Sequence, residues 1–425
     1  MDGTHLVILL SIIVGLTLLR VPIYITLLAA TIFLQVYVNR MPLAGMYNTM
    51  VESIARTSLL AIPYFVLAGK FMAHGTLGSR LINLFVILFK NVRGGFALAS
   101  WFSISFFSAI SGSSPATVAT FAPIIYKPMA KLYGSNMATG IITSSGSLST
   151  IIPPSISLLV FGVATNTSVA RLFVAGFLPG LVIIVIVSVY LYFTCRSNVE
   201  EDFNYITGDV SLGKAFIASI PALIMPFIIL GGIYGGVFTP TEAAAIAALY
   251  ACLAGLILRD FKIRELPRIL MDGCKTAAQV LILIAAASAF AQAIIVARVP
   301  QAVTLLFEGA GRVQFLIILN LILLIVGLVF EVASAILVLS PILLPAALAM
   351  GIDPVHLGII FTVNLSIGMF TPPFGLNIFV VQGVLKKGMG EISIAIIPYF
   401  ILYVIALIII TYIPWISLVL PRMMF

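Results

Sequence analysis

Long apolar runs separated by short polar breaks fill most of this chain. No Asp, Glu, Lys or Arg occurs at 94–126, 132–170 or 392–421. A helix that crosses a bilayer needs about 20 apolar residues, so each of these stretches can cross a membrane. Single crossings are predicted at roughly 172–195, 215–234, 276–297 and 392–418. Runs too short or too interrupted for one clean crossing lie at 97–126, 136–165, 313–350 and 355–385.

The composition also indicates a membrane protein. Of 425 residues, 62% are apolar and 8% are charged, whereas a soluble domain carries about 25% charged residues. The net charge of +8 does not indicate nucleic acid as a partner, because most basic residues sit singly between apolar runs. Loop residues that orient a membrane protein have this distribution. The chain is therefore predicted to be an all-α, multi-pass membrane protein.

The densest basic group is typical of a cytoplasmic loop, because such loops carry an excess of Lys and Arg. Its members are Arg259, Lys262, Arg264, Arg268 and Lys275. A patch that binds anionic lipid headgroups is the alternative interpretation.

The two halves of the chain resemble each other. The predicted division is a first membrane repeat, a polar linker and a second membrane repeat, at 1–195, 196–214 and 215–425. Pro153-Pro154 and Pro372-Pro373 are 219 positions apart (372 − 153), and so are Ser147 and Ser366 (366 − 147). A repeat of about half the chain length is typical of transporters with duplicated halves.

Charge placement indicates that the two repeats are inverted. Lys127 and Lys131 follow the Ser/Gly-rich segment of the first repeat, whereas no Lys or Arg lies between Arg312 and Lys386 in the second. Cytoplasmic loops carry the excess of basic residues. The first re-entrant element is therefore predicted to enter from the cytoplasm and the second from outside.

The paired prolines predict broken helices. Proline removes a backbone donor and clashes with the preceding turn, and such breaks survive in a membrane only where protein or a wet cavity covers them. They free carbonyl oxygens that suit a small cation such as Na⁺, and they present half-helix N-termini that favour an anionic substrate. The polar residues that lead into the breaks are Gly146, Ser147, Ser149 and Thr150, then Ser366, Gly368 and Thr371. A kinked, packed helix is the alternative.

A second element in each repeat is predicted to be the tip of a re-entrant hairpin. In the first repeat its candidate residues are Ser111, Gly112, Ser113, Ser114, Pro115 and Thr117. A small-residue face for helix packing is the alternative. The counterpart contains Glu331 and Ser334 between apolar runs. An ionisable group there is costly and is a functional candidate: Glu331 is a cation ligand, a proton carrier or a hydrogen-bond acceptor at the tip, or else it is interfacial.

Other polar residues have simpler explanations. Thr239, Pro240 and Glu242 form the pattern of a helix start, with a cap, a proline and a carboxylate three residues after the cap. The charged or titratable residues that flank the apolar run at 53–73 are expected to be interfacial; they are Glu52, Lys70 and His74.

The sequence predicts no enzyme. Gly208–Lys214 fits the beginning of a P-loop, but Ala215 replaces the Ser or Thr that holds Mg²⁺, so no nucleotide site is expected. No HExxH or GxSxG occurs and the histidines are isolated. Neither haem nor zinc is expected.

Five segments together resemble the large membrane subunit of tripartite ATP-independent periplasmic (TRAP) transporters. They are AIPYFVLAG at 61–69, SGSSPATVAT at 111–120, SSGSLSTIIPPS at 144–155, GGIYGGVFTPTEAAA at 231–245 and FTPPFGLN at 370–377. The resemblance covers essentially the whole chain. It implies a bacterial or archaeal inner-membrane secondary transporter, in which a Na⁺ gradient drives uptake of an organic acid such as sialic acid or a C4-dicarboxylate. A channel is the alternative.

The resemblance also implies partners, an architecture and a set of ion ligands. The partners are a small four-helix membrane subunit, expected as a separate chain, and a periplasmic substrate-binding protein. The fold is two inverted repeats that form a scaffold and an elevator-type transport domain. One Na⁺ is expected near Ser113, Gly146 and Ser147, and another near Ser334, Ser366 and Thr371. Asn377, in the last motif, joins the candidate site.

Overall fold

The computed structural model describes residues 3–19, 21–195, 211–307 and 309–425. All regular secondary structure in these ranges is helical, which confirms the predicted all-α class. Within the described residues, six helices are long and apolar enough to cross a membrane, or seven if the bent pair Ala44–Ile54 and Thr57–Ala73 counts as one. The predicted linker lies mostly outside the described residues, and a helix begins at Leu212.

The helices of the first described part are α1 (Gly3–Leu18), α2 (Ile23–Phe33), α3 (Ala44–Ile54), α4 (Ala61–Ala73), α5 (Leu77–Leu88), α6 (Gly95–Ser111), α7 (Ser114–Tyr133), α8 (Ser135–Ser145), α9 (Ile156–Thr165) and α10 (Val169–Thr194). Those of the second are α11 (Leu212–Pro226), α12 (Pro240–Ile257), α13 (Leu266–Val296), α14 (Val299–Leu306), α15 (Arg312–Gly327), α16 (Val332–Ala349), α17 (Pro354–Gly368), α18 (Leu376–Leu385), α19 (Met389–Tyr412) and α20 (Trp415–Met424). A π-helical turn at Phe227–Gly231 continues α11 to Tyr234.

The predicted crossings match helices with shifted ends. The crossing predicted at 276–297 belongs to a span that begins at Ile263. Arg264, Arg268, Asp272 and Lys275 lie on its first turns, so the basic group is only partly a loop, and the loop prediction was wrong for Arg268 and Lys275. The last crossing ends at Tyr412 rather than near 418, because Pro414 prevents continuation of the helix.

In each repeat, a helical hairpin with a short loop precedes the broken helix. Hairpin 1 consists of α6 and α7, which are joined only by Gly112 and Ser113. Gly112 has φ +58°, a left-handed conformation that glycine adopts without steric cost and that allows the immediate reversal. Hairpin 2 consists of α15 and α16, joined by residues 328–331.

Each hairpin is followed by a helix broken at the proline pair. Broken helix 1 consists of α8, a 3₁₀ turn (Gly146–Thr150) and α9. Broken helix 2 consists of α17 and α18, separated by residues 369–375. Both Pro-Pro peptide bonds are cis.

The hairpins enter the molecule from opposite ends of α19. Ser135, directly after hairpin 1, accepts a hydrogen bond from Lys387 at the start of α19. His356, soon after hairpin 2, lies with Nε2 3.2 Å from the carbonyl oxygen of Thr411 at the other end. Because α19 has 24 residues, these ends are about 36 Å apart. The predicted inversion of the repeats is confirmed.

The repeats pack across each other. Helix α7 of hairpin 1 packs against α18 of broken helix 2, and α16 of hairpin 2 packs against α9 of broken helix 1. Likewise α19 packs on α8, and α10 packs on α17. We call the two hairpins and two broken helices the paired body. Its buried interior includes Phe121, Phe161 and Phe361.

A second group of helices faces the paired body, and we call it the frame. It consists of α2, α3, α4, α12 and α13. The long α13 packs against α2, α3 and α4, and α4 packs against α12. Helices α4 and α13 also contact the paired body, α4 at α6 and α13 at α16. The frame therefore provides the wall opposite both hairpins.

Candidate functional site

Both hairpin tips and both helix breaks meet at one cavity of about 180 Å³. The paired body contributes Ser111–Ala116, Thr150, Ile156, Ser157, Glu331, Ala333, Met369 and Leu376. The frame contributes Val66, Gly69, Lys70 and Ala73 from α4, and Thr276 and Val280 from α13. We call this space the central cavity. Residues from both repeats, far apart in sequence, thus line one pocket.

The predicted site residues divide into those that line the central cavity and those that lie behind its wall. The lining residues are Ser111, Gly112, Ser113, Ser114, Pro115, Thr150 and Glu331. Those outside the lining are Thr117, Gly146, Ser147, Ser149, Ser334, Ser366, Gly368, Thr371 and Asn377, with Pro153, Pro154, Pro372 and Pro373. The hairpin tips therefore provide most of the cavity surface among these residues, and most residues of the breaks lie behind that surface.

The hydroxyl groups at the tip of hairpin 1 bond to one another. The Ser111 and Thr117 hydroxyl oxygens are 2.7 Å apart, and the Ser113 N–H donates to Ser111 Oγ at 3.2 Å. Thr117 Oγ1 also donates to the Ser113 carbonyl at 3.0 Å. A buried polar group must find a partner inside the protein, and these contacts supply it. They fix the shape of a two-residue turn that apolar packing alone would leave loose.

Hairpin 1 packs against the 3₁₀ turn of broken helix 1 at Gly146. A Cβ at this position would lie 2.7 Å from the Ser114 carbonyl oxygen and 2.5 Å from a Val118 methyl group, so only glycine permits the contact. Ser149 Oγ and Thr150 Oγ1 donate to the carbonyls of Gly146 and Ser147, at 2.8 and 2.7 Å. The turn therefore concentrates oxygen atoms directly behind the tip.

Ser147 is linked to the helix that packs on this break. Its Oγ lies 2.6 Å from the Ser144 carbonyl oxygen and 3.0 Å from the Tyr403 hydroxyl on α19. The Tyr403 ring also packs edge-on against Phe370 of broken helix 2, with ring centroids 5.0 Å apart. One residue of α19 thus contacts both breaks.

Hairpin 2 approaches broken helix 2 just as closely. A Cβ at Gly368 would overlap the Gly327 carbonyl group, and one at Gly327 would lie 3.5 Å from Gly368 Cα. Ser366 Oγ donates to the Val363 carbonyl at 2.7 Å, and Thr371 Oγ1 donates to Ile367 at 2.6 Å. In each repeat, glycine therefore allows a hairpin to pack closely against a helix break. Serine and threonine hydroxyls donate hydrogen bonds to the carbonyls of that break.

Asn377 joins the two repeats. Its Oδ1 accepts from Ser114 Oγ at 2.8 Å, and its Nδ2 donates to the Thr143 carbonyl at 2.9 Å. Its backbone N–H donates to the Met369 carbonyl at 2.9 Å across the second break. The side chain is fully buried, so no water can replace these bonds. Asn377 therefore connects hairpin 1 and both broken helices.

Replacing Asn377 with Leu is expected to destabilise the paired body. The change keeps the volume but leaves the Thr143 carbonyl and Ser114 hydroxyl without their partner, at a cost of about 1–3 kcal/mol. Ser114→Ala, which loses one bond, should cost less, about 0.6 kcal/mol. The midpoint of thermal unfolding of the purified chain in detergent measures both. Equal midpoints for wild type and Asn377→Leu would contradict the bridging role.

Glu331 caps the second helix of hairpin 2. Its Oε2 accepts from the Ser334 N–H at 3.3 Å and lies 3.4 Å from Ser334 Oγ. The predicted role as a hydrogen-bond acceptor at the tip is confirmed, and Glu331 lies at the cavity. Its roles as cation ligand or proton carrier stay predictions.

Glu242 forms the predicted helix start. The Thr239 N–H donates to Glu242 Oε2 at 2.8 Å, and the Glu242 N–H donates to Thr239 Oγ1 at 3.3 Å. This reciprocal pair is a capping box, and the structural interpretation of Glu242 is confirmed.

The frame side of the cavity was not predicted from the sequence. Lys70 lines the central cavity beside hairpin 1, and its interfacial position stays a prediction. Thr276 was not singled out at all. The small residues Ala68-Gly69 beside a lone lysine were the available signal for α4. Glu52 lines a separate cavity of about 280 Å³ between frame and paired body, together with Arg56, Asn166 and Gln292.

The ligand chemistry of the central cavity is that of neutral oxygen atoms and one charge of each sign. Lys70 and Glu331 are the charged members of its lining. Within the described part of the chain, no cluster of three or more His, Cys, Asp or Glu side chains could hold a metal ion. A few charged and hydroxyl groups are thus grouped on a lining that is otherwise apolar.

Comparison with known proteins gives a consistent result. Residues 10–416 match the family model of the tripartite ATP-independent periplasmic transporter, DctM component. The C4-dicarboxylate TRAP transporter large permease DctM of Vibrio cholerae is 37% identical over 97% of this chain and 96% of its own length. The Pseudomonas aeruginosa protein of that name is 40% identical over 87% of this chain and 88% of its own. The 2,3-diketo-L-gulonate TRAP transporter large permease of Escherichia coli is 34% identical over 92% and 93%.

A solved structure shows the same fold. The Alcanivorax borkumensis YdaH transporter, described as having an unusual topology, superposes with a TM-score of 0.64 over 95% of this chain and 99% of its own. The two sequences are 14% identical, so this likeness concerns the fold alone.

Proposed function

Because the chain belongs to the DctM component family of tripartite ATP-independent periplasmic transporters, we propose that it couples uptake of a small organic acid anion to entry of Na⁺. As a member it is the large, membrane-embedded permease of such a transporter. The observation that carries the proposal is the central cavity, where tips entering from opposite ends of α19 meet.

The proposed motion is that of an elevator. The hairpins and broken helices pack across each other and share the Asn377 bridge, which favours movement as one body. The cavity lies where this body faces α4 and α13 of the frame. Sliding of the paired body along the frame would carry the cavity from one side of the membrane to the other.

Na⁺ is the proposed coupling ion. In transporters, unwound carbonyls and the C-terminal ends of half-helices coordinate such ions. Ser113, Gly146 and Ser147 are proposed to lie near one cation. Ser334, Ser366 and Thr371 are proposed to lie near another. The hydroxyls at both breaks donate their protons to backbone carbonyls, so their lone pairs remain available to a cation.

The proposed substrate is an acid of C4-dicarboxylate size. Relatives named for C4-dicarboxylates and for 2,3-diketo-L-gulonate support this class. The central cavity of about 180 Å³ has room for an acid of this size. The proposed partners are a small four-helix membrane subunit and a periplasmic binding protein, in the inner membrane of a bacterium or archaeon.

Removing hydroxyl groups at the breaks tests the ion sites. Ser147→Ala and Ser366→Ala are each expected to raise the Na⁺ concentration for half-maximal succinate uptake about threefold to tenfold, because each variant loses one cation ligand. Uptake is measured in proteoliposomes that contain the small subunit and are supplied with the binding protein. Insertion and yield should stay unchanged.

The matched control is Ser219→Ala on α11. Ser219 is also fully buried and its hydroxyl also bonds backbone carbonyls, those of Ala215 and Arg80. Its variant should keep the wild-type Na⁺ dependence. If both Ser147→Ala and Ser366→Ala keep it as well, the ion sites are misplaced.

A further inference from the structure

The two walls of the central cavity differ in charge. The paired body contributes hydroxyls and the carboxylate of Glu331, whereas the frame contributes the ammonium group of Lys70. Lys70 lies in the last turn of α4, between the buried residues Gly69 and Phe71. A lysine in the last turn interacts favourably with the C-terminal end of the helix dipole, and here it also borders the central cavity.

Gly69 fixes the position of Lys70. A Cβ added at Gly69 would lie 2.5 Å from the Ser111 carbonyl oxygen, so the backbone of α4 directly touches the tip of hairpin 1. The next residue, Lys70, lines the same cavity as Ser113 and Ser114 of the tip. Lys70 is thereby held beside the central cavity.

The Lys70 ammonium has no hydrogen bond or ion pair within the described residues. Glu331 shares the cavity with it, but the two do not form an ion pair. A cationic side chain among membrane helices is costly unless it is paired or hydrated. Its half-buried side chain and the adjacent cavity leave room for a ligand that supplies the missing negative charge.

We propose that Lys70 binds a carboxylate group of the transported acid in the central cavity. This assignment rests on the proposed function and adds a specificity-determining residue on the frame. An ammonium offers three donors and one positive charge, which matches one carboxylate. The hydroxyls of Ser113, Ser114 and Thr276 surround the rest of the solute as neutral partners. Lys70 thereby selects acids over their uncharged analogues.

Binding of succinate and of its neutral diamide, succinamide, to the purified full-length chain tests the assignment. Lys70→Met, which keeps the length of the side chain without its charge, is expected to raise the Kd for succinate about tenfold to a hundredfold. Lys70→Arg should stay within about threefold of wild type. Binding of succinamide should be weak and equal in all variants.

The matched control is Lys275→Met. Lys275 is exposed on α13 and does not line the cavity, so its variant should bind succinate as wild type does. A second measurement does not depend on any variant: succinate should slow acetylation of the Lys70 amine in the wild-type chain at least about threefold, with Lys275 as the internal reference. Mass spectrometry of the digested protein measures both rates.

The outcomes separate this inference from the proposed function. A wild-type chain that takes up succinate, with equal Kd values for wild type and Lys70→Met or with no protection of Lys70, overturns the lysine assignment alone. A wild-type chain that shows no Na⁺-dependent uptake overturns the proposed function and the assignment with it. A raised Kd together with selective protection of Lys70 supports both.

Discussion

A covalent bridge between positions 56 and 166 is expected to stop transport almost completely. Arg56 precedes α4 on the frame, and Asn166 ends α9 of the paired body. Arg56 Nη1 donates to Asn166 Oδ1 at 3.2 Å, and both residues are exposed. With Arg56→Cys and Asn166→Cys joined by a short, cleavable bifunctional thiol reagent, the paired body can no longer slide. Uptake of labelled succinate should fall at least about tenfold, since the remaining activity would come from unbridged protein.

A bridge within the frame is the matched control. Thr49 on α3 and Gln292 on α13 are hydrogen-bonded to each other, and both belong to the frame. Thr49→Cys and Gln292→Cys joined by the same reagent should leave uptake near the unbridged level. Both pairs are made with Cys252 and Cys274 replaced by Ser, because these thiols are partly or fully exposed. Cys195 is buried and can remain.

Cleavage of the reagent completes the experiment. Reduction should restore uptake in the 56–166 pair, which excludes simple damage to the protein. If bridged 56–166 protein transports at the unbridged rate, the paired body does not move relative to the frame at this point. The elevator proposal would then be wrong.

The helix breaks could be predicted from the sequence because their cause is local. A proline pair inside an apolar run interrupts the helix, because proline lacks a backbone donor and clashes with the preceding turn. Hydroxyl residues before the pair supply bonds to the freed carbonyls. The tip of hairpin 1 was predicted for the same reason, since Gly112 and its serine neighbours indicate a tight reversal. The structure places both features where the sequence predicted them.

The frame side of the cavity could not be predicted, because it depends on which helix meets the tip. Almost all other residues of α4 are apolar, so no amphipathic pattern indicates which way the Lys70 side chain faces. Its role becomes visible only through the contact of Gly69 with Ser111. The start of α13 was missed for a different reason. Three charged residues on its first turns make this segment look like a loop, although its 31 residues form a helix about 46 Å long.

The packing of each repeat against the other also could not be predicted from the sequence. An offset of 219 positions indicates duplication, but it does not tell which elements touch. The bonds of Asn377 to Ser114 and Thr143 join segments that are 263 and 234 positions apart. The motif that contains Asn377 identified it as a candidate. Only the fold shows that it bridges the repeats rather than facing the cavity.

The most direct test of the central claim is accumulation of labelled succinate in proteoliposomes under an inward Na⁺ gradient. The vesicles contain the chain with its small subunit and are supplied with the binding protein. A membrane potential of 100 mV, negative inside, adds about 2.3 kcal/mol for each net positive charge that enters, which is about fiftyfold in accumulation. The account predicts that accumulation exceeds equilibrium and rises with this potential. It also predicts a fall to the level of protein-free vesicles when K⁺ replaces Na⁺ on both sides. Accumulation that is unchanged in K⁺ would contradict the account.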